Sequence, residues 1–390
     1  MVGMSGGVDS SVAALLLQQQ GYDISGVFMK NWEDFDATSP CPAAIDAVDA
    51  ARVCDILDIP FEGINFARQY REQVFSHFLA EYQAGRTPNP DILCNTEIKF
   101  SAFLDHALAQ GADRIATGHY ARIDEVNGRF RLLKAIDRNK DQSYFLHGLN
   151  QQQLSRALFP LGALQKHAVR QLALAAGFAN HAKKDSTGIC FIGEKHFTEF
   201  LGRYLPAQPG DMRSPEGEYL GAHHGLMYHT IGQRKGLGIG GRRGDSGQPW
   251  FVAGKNLATN TLIVAQGEGH PLLFANSLVT GTLHWISGQA PTLPLQATAK
   301  IRYRQDDQPC TLHQLDNGAV WMEFSVPQRA VTPGQSVVIY NGDDCLGGGV
   351  ILASDHPLDQ ENFCALRRGA PASSAAMNIL PTTQAMSARR

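Results

Sequence analysis

Two features of this sequence have the residue types and spacing for chemistry: a glycine–serine loop, SGGVDSS at Ser5–Ser11, and a pair of cysteines, Cys94 and Cys190. Gly6 and Gly7 let a backbone approach a phosphate closely. Ser5, Ser10 and Ser11 add hydroxyls, and the helix expected after them offers its partially positive N-terminus. Asp9 suits such a loop if a metal ion accompanies the phosphates. The loop has no lysine, whereas a kinase- or GTPase-type loop uses one to reach the outer phosphates. A glycine turn that only caps a helix would share the glycines and serines. The pattern S-G-G-x-D-S directly ahead of an apolar helix is more specific.

An isolated cysteine is more often a small buried hydrophobe than a nucleophile. Cys54, among Ala50, Val53 and Leu57, reads that way. Cys94 in RTPNPDILCNTEIKF and Cys190 in KKDSTGICFIGEKHF differ. Their segments are dense in Pro, Asn, Asp, Ser and Gly, which predicts loops with accessible thiols. Cys310, Cys345 and Cys364 have no reactive context. The chain has seven cysteines and no C-x-x-C, so a disulfide framework and a zinc site are poorly supported. His223, His224 and His229 lack a cysteine or carboxylate at ligand spacing and read as structural, so no metal site is expected there.

These residues need a scaffold. Up to about residue 200, short apolar runs alternate with helical stretches, the pattern of an α/β domain with a parallel sheet covered by helices. Strands are expected at Ile24–Trp32, Phe61–Phe66 and Asp113–Ala121, and a helix at Pro42–Ile56. Asn127-Gly128 predicts a two-residue hairpin turn. Only Met1 and Val2 precede the GMSGGVDSS stretch that holds the loop, so the first strand is very short or starts upstream. Residues 201–269, rich in Gly and Pro, read as a small, mostly β module. Residues 270–356, alternating with frequent turns, read as a β-barrel-like domain. Residues 357–390 carry few large apolar side chains and are expected to be a disordered tail.

A formal net charge of −3 means that any polyanion must be met by local basic patches. In QATAKIRYR, alternation puts Lys300, Arg302 and Arg304 on one strand face and Ala299, Ile301 and Tyr303 on the other; a solvated sheet face would look the same. Arg234, Lys235, Arg242 and Arg243 form a second basic cluster among glycines. No run of about 18 apolar residues and no leader pattern occurs, which predicts a cytoplasmic protein.

The opening loop resembles the pyrophosphate loop of the ATP-pyrophosphatase superfamily, an adenine-nucleotide α-hydrolase-like fold. Its members cleave ATP between the α and β phosphates and adenylate a carbonyl-type oxygen, so nothing need pull on the terminal phosphate. GMSGGVDSSV, GVFMKNW, TPNPDILCNTEIKF, ATGHYAR, KDQSYFL, KKDSTGICFIG, HHGLMYHTIGQRKGLGIGG, RYR and TPGQSVVIY come in an order that resembles the tRNA-specific 2-thiouridylase family, from Gly3 to about Leu352. That family replaces the C2 oxygen of the wobble uridine with sulfur in tRNAs for lysine, glutamate and glutamine.

The resemblance implies a set of roles. Gly3, Met4, Ser5, Gly6, Gly7, Val8, Asp9 and Ser10 would hold the phosphates of ATP, with Mg2+, and Met29 and Gly118 would flank the adenosine. Cys190 would carry the sulfur as a persulfide and Cys94 would be its partner. Cys94 would either form a disulfide with Cys190 or share acid–base work with Asp91. Asn89, Pro90 and Asp91 would lie against a flipped base, although Pro90-Asp91 could equally start a turn or cap a helix. His119, Lys140, Asp141, Gln142, Arg302, Tyr303 and Gln335 would touch tRNA. The sulfur would come from a donor protein, a cysteine desulfurase or a relay. Two rivals remain: an amide ligase, which would not need Cys190, and a non-catalytic RNA-binding protein, which would not need the loop or the thiols.

Overall fold

The three residues before the loop are apolar on both faces, and a strand at the centre of a covered parallel sheet requires that. In the computed structural model, which describes residues 1–33, 42–185, 197–240 and 247–370, β1 (Val2–Met4) holds this central place. It pairs in parallel with β2 (Gly26–Lys30) and β4 (Ile115–Ala116). β3 (Phe61–Asn65) lies outside β2, and the order is completed by β7 (Ala157–Leu158) beside β4. Helix Val8–Gln19 continues directly from Gly7 and takes in the second half of the loop motif, with Val12, Ala13 and Ala14 fully buried. The Pro42–Leu57 helix and β2 and β3 fall where the apolar runs placed them.

The strand expected at 113–121 is cut to Ile115–Ala116. The cause is a close approach: a Cβ on Gly118 would stand 2.7 Å from both the Asp9 carbonyl carbon and the Ser10 nitrogen. The chain turns there against the loop and does not continue the sheet. It re-emerges as β5 (Ala121–Val126), which pairs with β6 (Arg129–Lys134) across Asn127-Gly128, both at positive φ as a tight hairpin demands.

Four strands form the central module: β8 (Gly210–Arg213), β9 (Tyr219–His223), β10 (Trp250–Asn256) and β11 (Thr261–Gln266). Met212, Leu220, Val252, Leu262 and Val264 make its core. The last domain contains β12 (Phe274–Thr280), β13 (His284–Trp285), β14 (Leu295–Lys300), β15 (Gln308–Gln314), β16 (Val320–Arg329), β17 (Ser336–Asn341) and β18 (Asp344–Ser354). Pairing of β12 with β18 closes the path β12-β16-β15-β14-β17-β18 into a barrel. The hairpin β5–β6 adds to the same sheet through Leu132 and Leu133 opposite Cys345 and Asp344. The α/β domain and the barrel therefore share hydrogen-bonded sheet.

Disorder from residue 357 is corrected in part. Gln360–Arg367 is a helix whose Phe363 and Leu366 pack with Val279, Leu352 and Ala353, and the Arg367 guanidinium lies 4.0 Å over the Trp321 ring. Two apolar residues three apart suffice for one face of so short a helix. Residues 371–390 lie outside the described residues. Among the described residues no helix is long and apolar enough to cross a membrane.

Candidate nucleotide site and thiol pocket

The loop turns directly into its helix. Gly7 is the N-cap, extended at φ −90° and ψ 162°, and no side chain caps the first turn. The serines brace the loop instead. Ser10 Oγ donates to the Gly7 carbonyl (3.1 Å) and accepts from Ser5 N (3.1 Å), while Ser11 Oγ donates to the same carbonyl (3.0 Å). A rigid loop and an uncapped helix start leave main-chain N–H groups for an anion. Gly6 has φ +71°, and a Cβ on it would meet the Asp46 carbonyl oxygen at 2.3 Å. Met29, on β2, lies against Gly3: its methyl would be 3.1 Å from a Cβ there. Gly3, Met29 and Gly118 thus gather near the carboxyl ends of β1, β2 and β4, where ligands bind in parallel sheets.

The lysine missing from the loop arrives from elsewhere in the chain. Lys166, which opens helix Lys166–Ala175, places Nζ 2.7 Å from both oxygens of Asp9 and 2.8 Å from Asp185. Its side chain is 11% exposed. The Tyr120 hydroxyl donates to Asp9 (2.8 Å), and burial together with that carboxylate pushes the phenol up. Asp185 also receives Lys140 (2.6 Å) and Arg170 (3.3 Å). Burial alone would raise the Asp185 carboxyl, but hydrogen bonds from Lys140 and Lys166 outweigh it and hold the group at about 2. Lys183 donates to the Gly6 carbonyl (3.1 Å) and pairs with Asp46 and Asp49 (both 2.7 Å), and Asn180 Nδ2 donates to Gly6 O and Ser11 Oγ. Lys166, Lys183 and Asn180 escaped the sequence reading. The only signal for Lys166 was a lone cation ahead of an amphipathic helix.

Cys94 is not in a loop. Asn89 caps a helix, its Oδ1 accepting from Asp91 N (3.2 Å), and Pro90 takes the first helical position. The helix Pro90–Leu93 runs into a π-helical stretch, Cys94–Ala102, and then into Phe103–Ala109. Cys94 is buried at 4% exposure. The Asn and Pro that suggested a loop are a helix start. Asp91 and Cys94, three apart, share a helix face, and π-helical turns are frequent at functional sites. Burial pushes the Asp91 carboxyl up, with Lys99 opposing. His119 is buried, with Nδ1 2.7 Å from Thr117 Oγ1. Burial and then Lys99 drive its pKa well below the usual value, so the ring is neutral at pH 7. Lys99 acts on both groups and was not singled out from sequence.

The residues expected at tRNA divide. Asp141 is buried and accepts from Ala135 N, Ser143 N and Ser143 Oγ, and Gln142 Oε1 accepts from Tyr120 N (2.9 Å); both organise turns behind the loop. Tyr303 packs 4.4 Å from the Phe145 ring, centroid to centroid. The Lys300–Arg304 strand face is corrected: β14 stops at Lys300, and Gln305 Oε1 closes a turn by accepting from Ile301 N (2.8 Å). Lys300 turns inward toward Asp307 and Asp141 (3.7 and 3.9 Å). Arg302 Nη2 donates to the carbonyls of Ile231 (2.8 Å) and Ala330 (3.0 Å), tying the central module to the barrel. Gln335 Nε2 donates to Thr87 O (2.7 Å), fixing the segment just before Asn89. Arg304 remains exposed.

His223 accepts from Gly225 N (3.0 Å) and lies 3.1 Å from Asn260 O, so it braces a turn. Burial pushes the thiols of Cys54 and Cys310 up to about 11 and about 12, and that of Cys345 higher still, which keeps them unreactive. Cys190, Arg242 and Arg243 lie outside the described residues.

Comparisons bear on the whole chain. A family model described as a tRNA methyl transferase HUP domain matches residues 1–194. Models described as a tRNA methyl transferase PRC-barrel domain and an aminomethyltransferase beta-barrel domain match residues 198–266 and 275–351. The protein of Nitrosococcus oceani called tRNA-specific 2-thiouridylase MnmA is 62% identical over 355 residues, covering 91% of this chain and 97% of its own. The proteins of the same name from Nitrosomonas eutropha and Methylobacillus flagellatus are 62% and 59% identical over 354 residues, each match covering 91% of this chain and 98% of theirs.

Proposed function

The chain belongs to the tRNA-specific 2-thiouridylase family, and on that premise we propose that this tRNA sulfurtransferase puts sulfur at C2 of the wobble uridine in tRNAs for lysine, glutamate and glutamine. The observation that carries the reading is the uncapped, serine-braced loop at the head of helix Val8–Gln19, against which Gly118 packs while the next residue, His119, lies on Phe100 of the Cys94–Ala102 stretch. The donor set fits a nucleotide: N–H groups of Gly3–Ser10 and the Lys166 ammonium for phosphate, Asp9 for an accompanying Mg2+, and Met29 and Gly118 beside the base. Bound ATP supplies adenylation of the C2 oxygen, which makes that oxygen a leaving group.

The rest falls to the protein's own residues. Asn89, Pro90 and Asp91 receive the base, and Asp141 and Gln142 hold the turns at Ala135–Ser143 and Tyr120. Neutral His119, its Nδ1 engaged by Thr117, presents a hydrogen-bonding ring without a charge. Cys190 carries the incoming sulfur as a persulfide, which is more acidic than a thiol and so more anionic at neutral pH. The outer sulfur of that persulfide attacks C2, and the C2 oxygen leaves as AMP. The Cys94 thiolate then attacks the Cys190 sulfur, breaking the S–S bond so that the outer sulfur stays on the base and a Cys94–Cys190 disulfide closes, which an external thiol must reduce. The burial of Cys94 favours a thiol that acts late, once the base and sulfur are in place. Lys140, Arg302, Tyr303 and Gln335 approach the RNA, and a sulfur-donor protein, a desulfurase or a relay, loads Cys190.

The test is mass spectrometry of tRNA incubated with purified protein, ATP, Mg2+ and a persulfide donor. Expected are 2-thiouridine, AMP and pyrophosphate, with Cys190→Ser abolishing the thiouridine while binding tRNA normally. Release of ADP, or full activity of Cys190→Ser, overturns the reading.

A further inference from the structure

The loop lacks a lysine, and the fold brings one to it over a separation of 157 residues. We propose that Lys166 is a phosphate-binding residue of the nucleotide site, and that Asp185 competes with phosphate for its ammonium. The proposal rests on the nucleotide reading above and assigns a residue to it.

Position is the first ground. Asp9 lies in the first turn of the helix that starts without a side-chain cap, and Lys166 Nζ touches both of its oxygens at 2.7 Å. An ammonium bound there stands next to the N–H groups on which an anion would rest. The second ground is that Lys166 can change partner at little cost. Asp185 holds three cations, Lys140, Lys166 and Arg170, so it stays compensated when one of them turns away. Asp9 likewise keeps the Tyr120 hydroxyl at 2.8 Å. Lys183, the other lysine at the loop, has no such freedom: Asp46, Asp49 and the Gly6 carbonyl all use it, and the two carboxylates would be left facing each other. Thirdly, Lys166 is seated firmly enough to be aimed. It opens helix Lys166–Ala175, its own N–H donates to Asp137 (2.9 Å), and its stem is mostly covered.

Calorimetric titration of the full-length protein with inorganic pyrophosphate, ATP and adenosine, at fixed Mg2+, tests this. Lys166→Gln should weaken pyrophosphate and ATP about ten- to hundred-fold, the worth of a charge-assisted hydrogen bond, and leave adenosine unchanged. Lys166→Arg, which keeps the charge, should recover most of that loss. Asp185→Asn should tighten pyrophosphate, because the competitor is gone. If Lys166→Gln does not fold, the Lys166→Arg and Asp185→Asn titrations carry the test. Equal pyrophosphate affinity in Lys166→Gln and the unaltered protein overturns the inference. So does weakening by Asp185→Asn, which would make the cluster a structural brace. Should the unaltered protein bind neither ATP nor pyrophosphate, the nucleotide reading falls and this inference with it. If it binds both and makes no 2-thiouridine, the proposed reaction fails while the Lys166 assignment stands on its titrations.

Discussion

The phosphate loop and the Lys300–Arg304 stretch are both short and polar, yet they find their partners in opposite ways. Within the loop, the Ser5, Ser10 and Ser11 hydroxyls bond to one another or to main-chain groups no more than five residues away, and Asn180 adds a distant donor at Ser11. Arg302 reaches carbonyls 71 and 28 residues away, and Lys300 turns to Asp141 in another domain. Local hydrogen bonding makes a loop that carries its chemistry in its own sequence. A long cationic side chain is instead recruited by whichever carbonyl or carboxylate the fold brings near, so its sequence neighbourhood says little. Gln335 and Lys140 behave as Arg302 does.

The largest expected effect breaks the loop through a residue outside it. Gly118→Val would drive its Cβ into the Asp9–Ser10 backbone. Pyrophosphate release should fall by about a hundred-fold or more, as displacement of positioning groups costs, and tRNA affinity should persist. Near-normal pyrophosphate release would show that the loop tolerates displacement.

Next comes the joint. Arg302→Ala leaves the Ile231 and Ala330 carbonyls without their charged donor, a loss of about 2–4 kcal/mol for the pair, read as a lower thermal midpoint of the free protein. Arg302→Lys should restore part of it, because both bonds come from one nitrogen, Nη2, and an ammonium also offers several donors. If Arg302 also meets a phosphate, the slope of log affinity against log salt drops by about 0.7–0.9 in the same variant. An unchanged midpoint returns Arg302 to a purely RNA-facing role.

A smaller effect, in pH, sharpens the same joint. His147 is fully buried between the α/β domain and the barrel; its Nδ1 lies 3.0 Å from the Tyr144 carbonyl, and a Cβ on Gly348 would meet its ring at 2.6 Å. Burial pushes its pKa down to about 4. The unfolded chain then binds a proton at higher pH than the folded one, so stability is full above about pH 6.5 and is lost as pH falls toward 4. The contribution is about 3 kcal/mol across that window, and denaturant midpoints for His147→Gln should show a shallower fall. An identical pH slope would remove His147 from the account.

The last two effects compare helix Gln360–Arg367 with the residues that follow it, 371–390. Phe363→Ala should cost about 3 kcal/mol by opening a cavity against Val279, Leu352 and Ala353. Deleting residues 371–390 should change neither stability nor tRNA affinity, measured by melting and filter binding.

Sequence alone determined the loop, the parallel-sheet domain, the β texture of the second half and the hairpin at Asn127-Gly128, because each depends on residues adjacent in the chain. Apolar periodicity marks a strand or helix, and a glycine marks a backbone angle, wherever the element ends up. Composition misled where one residue type serves two local structures: Asn89 and Pro90 start a helix as readily as they break one, so Cys94 emerged buried and helical. Only the tertiary structure decided which charges meet. Lys166 and Asp9, Arg302 and Ile231, and Gln335 and Thr87 are far apart in sequence. An ion pair or a side-chain hydrogen bond leaves no periodic trace in either partner, and its strength depends on a burial that exists only once the domains have packed.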